Sequence, residues 1–511
     1  MNDADPRPSS RRRRAAADRA HPEPPSGVSQ PIVSSLPRLN FLTEAQVEQI
    51  HEAALNVLQG TGVLFKSDDA LLHFRRAGAR VEEGRVYLER GLIEACLKTA
   101  PAQFTLHARN PANDLTIGGP NTAAAPSGGA PYVRGLDGVR RTGTLADMQN
   151  FARLSHLSPD VHIMARKAVE AQDVPAPIRH LDCWRALLTL TEKPGISGTV
   201  FGRPEAEDTL QMLAIVFGGE AAIDGRPVGL CNINSNSPLV FDKPMAEGLM
   251  SFAARGQPVV VTPFVMAGVM GPATLAGSLA LHNAEVLAGV ALAQIVRPGA
   301  PTLYGTATSN VDMRNASPAI GSPESALSVA VAAQMARRYG LPCRGGGALT
   351  DSHLPDAQAN YERMQTLMVS VLAGVNVMLH GLGTLDSYLT IDYEQFVIDM
   401  EIIAMLRQLA SPLEITPETL ALDTISDIGP GGFYLDAPHT MRHYRRAHFL
   451  PRISLRQFHD QWAAEGSSDA AQRANALCRE MLAAYVQPPL DPAVAAQLDD
   501  FVERRKKELA Q

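Results

Sequence analysis

The feature that most constrains the fold is a series of short apolar runs, each ending in small or polar residues and each followed by a helical stretch. The runs are Val161–Ala165, Gly195–Val200, Val228–Asn234, Pro258–Val265, Pro301–Ala307, Cys343–Leu349 and Val375–Gly381. Their starts lie roughly 30 to 43 residues apart, which is room for one strand and its return helix. An eighth strand is expected within Thr122–Val133, ahead of a helix at Leu145–Leu157. Eight such units in series close into a barrel. The competing arrangement is an open doubly wound sheet, but no G-x-G-x-x-G follows any run, which weakens a dinucleotide-binding reading. The predicted class is α/β, a (β/α)8 TIM-like barrel with N-terminal α+β and C-terminal helical additions.

The flanks divide the chain further. Residues 1–37 are rich in Pro, Ser, Ala and Arg and are expected to be a disordered tail. The basic run Arg11–Arg14 has no apolar segment behind it, so it does not read as a secretory signal. Residues 38–120 read as an α+β elaboration. Thr43 and Gln46 have capping-box spacing ahead of an apolar stripe at Val47, Ile50 and Ala54. The barrel is assigned to 121–400 and a helical extension to 401–511.

Composition narrows the function classes. The chain has 511 residues, 45% of them hydrophobic, enough for a large core. A net charge of -7 offers no electrostatic attraction to nucleic acid or an anionic membrane. No run of apolar residues reads as a membrane span. The five cysteines form no CxxC pair, which argues against a disulfide framework and a thiolate zinc site. A reducing cytoplasmic setting, no tightly bound metal and a homo-oligomer are expected.

In a barrel the chemistry sits at the carboxyl ends of the strands. Those ends carry Asn232, Asn234 and Asn236, then Thr262 and Phe264, then Tyr304, Thr306 and Thr308. They continue with Arg344, Gly346, Gly347, Thr350, Asp351 and His353, and close with His380, Thr384 and Asp386. Such a mouth is rich in neutral hydrogen-bonding groups and poor in charge. Asp351 and His353 are the acid–base candidates. The substrate-binding candidates are Asn234, Asn236, Thr262, Phe264, Tyr304, Thr306, Arg344, Gly346, Gly347 and His380. Each has a bland reading beside it: turn capping for the asparagines, a tight strand end for the glycines.

Several motifs together resemble the trimethylamine methyltransferase family. They are Gln257-Pro-Val-Val-Val-Thr262-Pro-Phe, Met270-Gly-Pro-Ala-Thr, Asn283-Ala-Glu285, Tyr304-Gly-Thr306 and Gly321-Ser-Pro-Glu324. To these are added Gly345-Gly-Gly-Ala-Leu-Thr-Asp351-Ser, Asp356-Ala-Gln-Ala and the late His439-Thr-Met-Arg-His443. The resemblance spans roughly residues 40 to 460. It implies a barrel, methyl transfer from an amine to a cobalt corrinoid, and a cognate corrinoid protein as partner. The family's founding members carry pyrrolysine. This chain has none and therefore resembles the non-pyrrolysine branch, which includes glycine betaine:corrinoid methyltransferase.

That branch poses a simple chemical problem. Cobalt(I) is itself a strong nucleophile, and a quaternary ammonium leaves as a neutral amine, so no general base is needed. The protein must hold the cation and align its methyl group. Aromatic faces do this at about 0.5–2 kcal/mol each. Tyr304, Phe264, Tyr388, Phe433 and Trp184 are the aromatic candidates. A substrate carboxylate would want an arginine, and Arg344 and Arg314 lie nearest the mouth. A non-catalytic amine- or corrinoid-protein-binding barrel, and trimethylamine itself as methyl donor, remain as alternatives.

Overall fold

The computed structural model describes residues 27–509. Its centre is a ring of eight parallel strands: β1 (Asn121–Ala124), β2 (Met164–Ala165), β3 (Gly195–Thr199), β4 (Gly229–Ile233), β5 (Val259–Val261), β6 (Thr302–Gly305), β7 (Cys343–Gly346) and β8 (Val377–Leu379). Seven successive parallel pairings run β2-β3-β4-β5-β6-β7-β8-β1. Each strand is followed by one long helix: α1 (Leu145–Leu157), α2 (Ala176–Leu190), α3 (Gly202–Phe217), α4 (Lys243–Ala254), α5 (Leu275–Val296), α6 (Pro323–Arg338), α7 (Ala357–Ala373) and α8 (Tyr393–Ala410). This is the (β/α)8 barrel expected from the strand series. The eighth helix runs to Ala410, so the barrel ends ten residues beyond the expected 400.

The ring closes between β1 and β2 by a device the sequence did not reveal. The Ala124 carbonyl accepts the N–H groups of both His162 (2.9 Å) and Ile163 (3.1 Å). The Ala124 N–H in turn donates to Nδ1 of the buried His162 ring at 2.7 Å. An imidazole thus supplies the acceptor that a strand carbonyl would provide in a regular ladder. Below it, Ile32–Val33 pairs antiparallel with β1, Ile32 opposite Thr122, and the Gln30 N–H donates to the Pro159 carbonyl. Residues 27–37, assigned above to the tail, are therefore ordered along this seam. An unpaired edge of β1 recruits two extended residues, and Ile32 is buried there. The rest of the tail assignment, residues 1–26, lies outside the described residues.

Residues 38–120 fold over the outside of the barrel. The helix Glu44–Asn56 opens with the capping box at Thr43 and Gln46 and packs on α5, as does Arg90–Thr99. Covered on both sides, α5 has no polar face; it has the length and apolarity of a membrane span, yet 78% of its most apolar window is buried inside the protein. Its polar residues, His282, Asn283 and Glu285, are all buried and hydrogen-bonded.

After α8 the chain is less well packed. The helices Pro417–Leu420, Leu422–Ile428 and Pro438–Ala447 contain no buried residue. Packing resumes at Ile453 and in Ala470–Ala484, which lies along α8. The helical extension expected over 401–511 is thus interrupted: helices at Pro438–Ala447, His459–Ala464, Ala470–Ala484 and Pro492–Leu509 are separated by irregular turns.

Burial pushes the His162 ring from its ordinary value down to about 3. As pH falls below roughly 6.5, the unfolded chain takes up a proton that the folded ring refuses, so stability is lost on acidification, at up to about 1.4 kcal/mol per pH unit. His162→Asn keeps an acceptor at the same place, because Oδ1 of Asn overlays Nδ1 of His, and removes the titration. Urea denaturation at pH 6.5 and 4.5 should show the variant losing roughly 2 kcal/mol less than the parent over that interval. Equal losses would contradict the role given to His162.

Candidate active site

The strand ends converge on a polar layer inside the barrel. Strand register places Asn234, Thr262, Gly305 and Arg344 at one level: Tyr304 pairs with both Val261 and Cys343, and Gly305 with Arg344. The Thr262 hydroxyl donates to Asn232 Oδ1 at 2.8 Å, and Asn232 Nδ2 donates to Asn234 Oδ1 at 2.9 Å. A Cβ on Gly305 would stand 2.3 Å from Thr262 Oγ1, so only glycine leaves this layer open.

Arg344 is the unusual member. Its side chain is buried at 2% exposure. One amino group donates to the Thr306 carbonyl, while Nε has no hydrogen-bond partner. Among the described residues no carboxylate lies within ion-pair distance of it. Burial lowers this guanidinium only to about 10, so it remains charged at neutral pH. A buried cation without an anion is costly. The missing charge is the strongest statement the site makes about its ligand.

Three rings gather over this layer. His380 and Tyr388 have centroids 4.6 Å apart, and Phe264 meets Tyr388 edge-on at 6.3 Å. Burial, with the nearby Arg344 charge, holds His380 well below its ordinary value and hence neutral. Its Nδ1 accepts the Gly128 N–H at 3.2 Å, which leaves the proton on Nε2. Burial pushes the Tyr388 phenol up to about 12. The rings are therefore uncharged, and the fixed charge of this half of the mouth belongs to Arg344.

The loop carrying Tyr388 is held in a strained form. His380, Asp386, Ser387 and Tyr388 all adopt left-handed backbone angles, with φ of 60, 56, 48 and 77°. For non-glycine residues each costs on the order of 1 kcal/mol or more, and the surroundings must enforce it. Asp351 does part of this. Its carboxylate accepts the N–H groups of Ile320 and Gly321 at 3.0 Å and the Ser387 hydroxyl at 2.6 Å, tying the loops after β6, β7 and β8 together. Burial raises its pKa above the usual carboxylate value despite these donors. His353 does not meet Asp351. It lies 80% exposed at the rim with Nδ1 2.8 Å from Asp386, whose other oxygen holds Arg140 and Thr390.

The structure therefore gathers Asn234, Thr262, Phe264, Arg344 and His380, with Tyr388, at the mouth and sets other candidates apart. Tyr304 points outward. Its hydroxyl lies 3.0 Å from Asn283 Oδ1 and 3.3 Å from His282 Nδ1 on α5, and its ring stacks on Tyr339. Alternation along β6 dictates this, since its register partner Val261 packs outward on Gly289 of α5. Thr306 accepts the Thr308 N–H and offers its carbonyl to Arg344. Gly346 and Gly347 give their carbonyls to Ser370 and Thr366 of α7. Asn236 sits in an exposed turn, its N–H donating to the Val240 carbonyl. Trp184 is buried in the core against Gly195, Phe433 is exposed, and Arg314 is 89% exposed on Asp312.

Two features escaped sequence reasoning. Ser127 was not singled out, yet with Thr308 and Thr384, named above at strand ends, it buries a hydroxyl that has no partner, as expected of groups that meet a ligand. The other side of the mouth is not poor in charge: Arg166 pairs with Glu205 at 2.5 Å and Lys167 with Glu170 at 3.2 Å. Arg166 and Lys167 directly follow β2, the shortest barrel strand, so neither read as a strand end. A cavity of about 240 Å³ lies elsewhere, lined by Pro159, Glu401, Arg407 and Phe449 on the far side of the barrel from this mouth.

These features define a (β/α)8 enzyme whose mouth presents a buried cation, aromatic faces and neutral hydrogen-bonding groups to a small ligand. Residues 7–510 match the model of the trimethylamine methyltransferase (MTTB) family. The chain is 44% identical to glycine betaine methyltransferase of Desulfitobacterium hafniense (strain Y51), over 93% of this chain and 99% of that one. It is 33% identical to trimethylamine methyltransferase MttB of Desulfitobacterium hafniense (strain DSM 10664 / DCB-2), over 91% and 94%. It is 32% identical to proline betaine:corrinoid methyltransferase of Eubacterium limosum, over 91% and 98%. The chain belongs to the trimethylamine methyltransferase family and is a methyltransferase.

Gly347 gives a direct test of the mouth's packing. A Cβ there would lie 2.5 Å from the Gly381 backbone, forcing the ends of β7 and β8 apart. Gly347→Ala should cost roughly 1–3 kcal/mol in chemical denaturation. An unchanged midpoint would contradict the close approach.

Proposed function

We propose that this enzyme moves a methyl group from a betaine, a quaternary amine that carries a carboxylate, to the cobalt(I) corrinoid of a partner protein. The observation that carries the reading is Arg344, a buried guanidinium with no carboxylate beside it among the described residues, set near the rings of Phe264, Tyr388 and His380. A betaine fills both needs: its carboxylate neutralises Arg344, and its ammonium faces neutral rings that attract a cation without the desolvation cost of an ion pair. Trimethylamine fills only the second. Glycine betaine is the smallest such donor, and the relatives named for glycine betaine and proline betaine support the class.

The residues imply a division of labour. Arg344, with Thr262 and Asn234 beside it, anchors the donor. Phe264, Tyr388 and His380 hold the ammonium so that one methyl group faces out of the mouth. Transfer displaces a neutral amine and needs no proton, which suits a mouth whose histidine is held neutral. Asp351 and His353 fix and line the loops and carry no proton in the reaction. The nucleophile comes from outside, because all five cysteines are buried and their thiols are pushed up to about 11 or 12. The corrinoid protein supplies it. Free cysteines suit a reducing cytoplasm.

A homo-oligomer is part of this reading. Between Leu409 and Phe458 the surface exposes many large apolar side chains, among them Leu413, Leu422, Phe433, Leu435 and Leu450. Apolar exposure on this scale is expected to be covered permanently. A corrinoid protein must leave to pass on its methyl group, so the lasting cover is a second copy. Analytical ultracentrifugation at micromolar concentration should give a dimer or larger species; a clean monomer would contradict it.

The substrate reading is tested by following corrinoid methylation spectroscopically with glycine betaine, proline betaine, carnitine, choline and trimethylamine. A betaine should be the fastest donor, and Tyr388→Ala and Phe264→Ala should each lower kcat/KM about three- to thirtyfold, as loss of a cation–π contact implies. Faster demethylation of trimethylamine than of every quaternary donor would end this assignment.

A further inference from the structure

The motif His439-Thr-Met-Arg-His443 plays no part in the barrel mouth, and the structure gives it another setting. The two histidines lie one turn apart on Pro438–Ala447, so both rings project from the same face. Their centroids are 4.3 Å apart. Both Nε2 atoms converge on Glu418 of the helix Pro417–Leu420: His439 Nε2 lies 3.0 Å from the Glu418 carbonyl oxygen, and His443 Nε2 lies 2.9 Å from its Oε1. One nitrogen from each ring and one carboxylate oxygen all fall within 4.8 Å of one another. Sequence spacing showed no such cluster, because the third member lies about twenty residues upstream and only the fold brings it in.

We propose that Glu418, His439 and His443 bind one zinc ion, which ties the two arms of the segment 411–452 together. Two imidazoles at i and i+4 with one carboxylate form a set that zinc accepts in tetrahedral geometry, the fourth position going to water. Arg442 Nη2 also reaches Glu418 Oε1, at 3.1 Å, which leaves Oε2 for the metal.

The second observation is how little else holds the segment: among the described residues its helices are joined to one another by surface contacts such as the exposed Arg442–Glu418 pair. Helices of four, seven and ten residues are too short to persist alone, and none buries a residue. A segment without a core of its own is where a structural metal contributes most to folding. The site is separate from the mouth, and its test does not depend on the identity of the methyl donor.

The test uses the full chain and zinc chloride. The parent, the double variant His439→Gln/His443→Gln and the control His448→Gln are dialysed against micromolar zinc and then metal-free buffer. Bound zinc is measured by mass spectrometry, and trypsin cleavage within 411–452 is timed with and without chelator. One zinc per chain is expected in the parent and the control, with at least a tenfold loss in the double variant. Chelation should speed cleavage of the segment at least tenfold in the parent and leave the double variant unchanged. Equal zinc in parent and double variant, no zinc in the parent, or bound zinc without any change in cleavage would each overturn the proposal.

Discussion

Burying a guanidinium without a counterion is the constraint around which this barrel mouth is arranged. A desolvated, unpaired cation costs several kcal/mol, and the surrounding residues do not remove the cost. They supply one carbonyl, from Thr306, leave Nε without a partner, and set the neutral Tyr388 and His380 rings nearby. The charge is fixed, since burial lowers it only to about 10, and it in turn helps hold His380 neutral. A ligand that brings a carboxylate repairs the defect, which makes binding energy available in the one place where the donor must be oriented.

The loops convert that anchor into geometry. Four left-handed residues after β8 put the Tyr388 ring against His380 and Phe264, a conformation held by Asp351 from the loop after β7 and by Asp386 within the loop itself. Carboxylates are thus present near the mouth, but they are engaged with backbone and hydroxyl donors or with Arg140. They strengthen the scaffold without competing for the ammonium. This explains how an acidic chain presents a site with positive and aromatic character.

Much of the barrel was legible because its strands are short, apolar and evenly spaced, each followed by an amphipathic or apolar helix. Less was legible where spacing carries no information. Two residues, Ile32 and Val33, are too short a run to read as a strand, yet they cover the seam of the barrel. The facing of Tyr304 depends on which side of β6 meets α5, a phase that alternation alone does not set. The polar pair His282-Asn283 within an otherwise apolar helix was the available signal that a polar partner faced it. Arg344 was visible as an arginine at a strand end, but its lack of a carboxylate is a property of three dimensions. Asp351 and His353, the acid–base candidates, do not meet for a local reason: two loop residues near in sequence face different partners, Ser387 and Asp386.

The claim that Arg344 reads a carboxylate is tested most directly by calorimetry with two ligands that share a trimethylammonium head, glycine betaine and choline, on the parent enzyme and on Arg344→Gln. A charge-assisted contact of about 1.5–3 kcal/mol predicts that the parent binds glycine betaine roughly ten- to a hundredfold more tightly than choline, and that the variant loses this preference while keeping its affinity for choline. Equal affinity of the parent for both ligands, or a preference that survives in Arg344→Gln, would contradict the account.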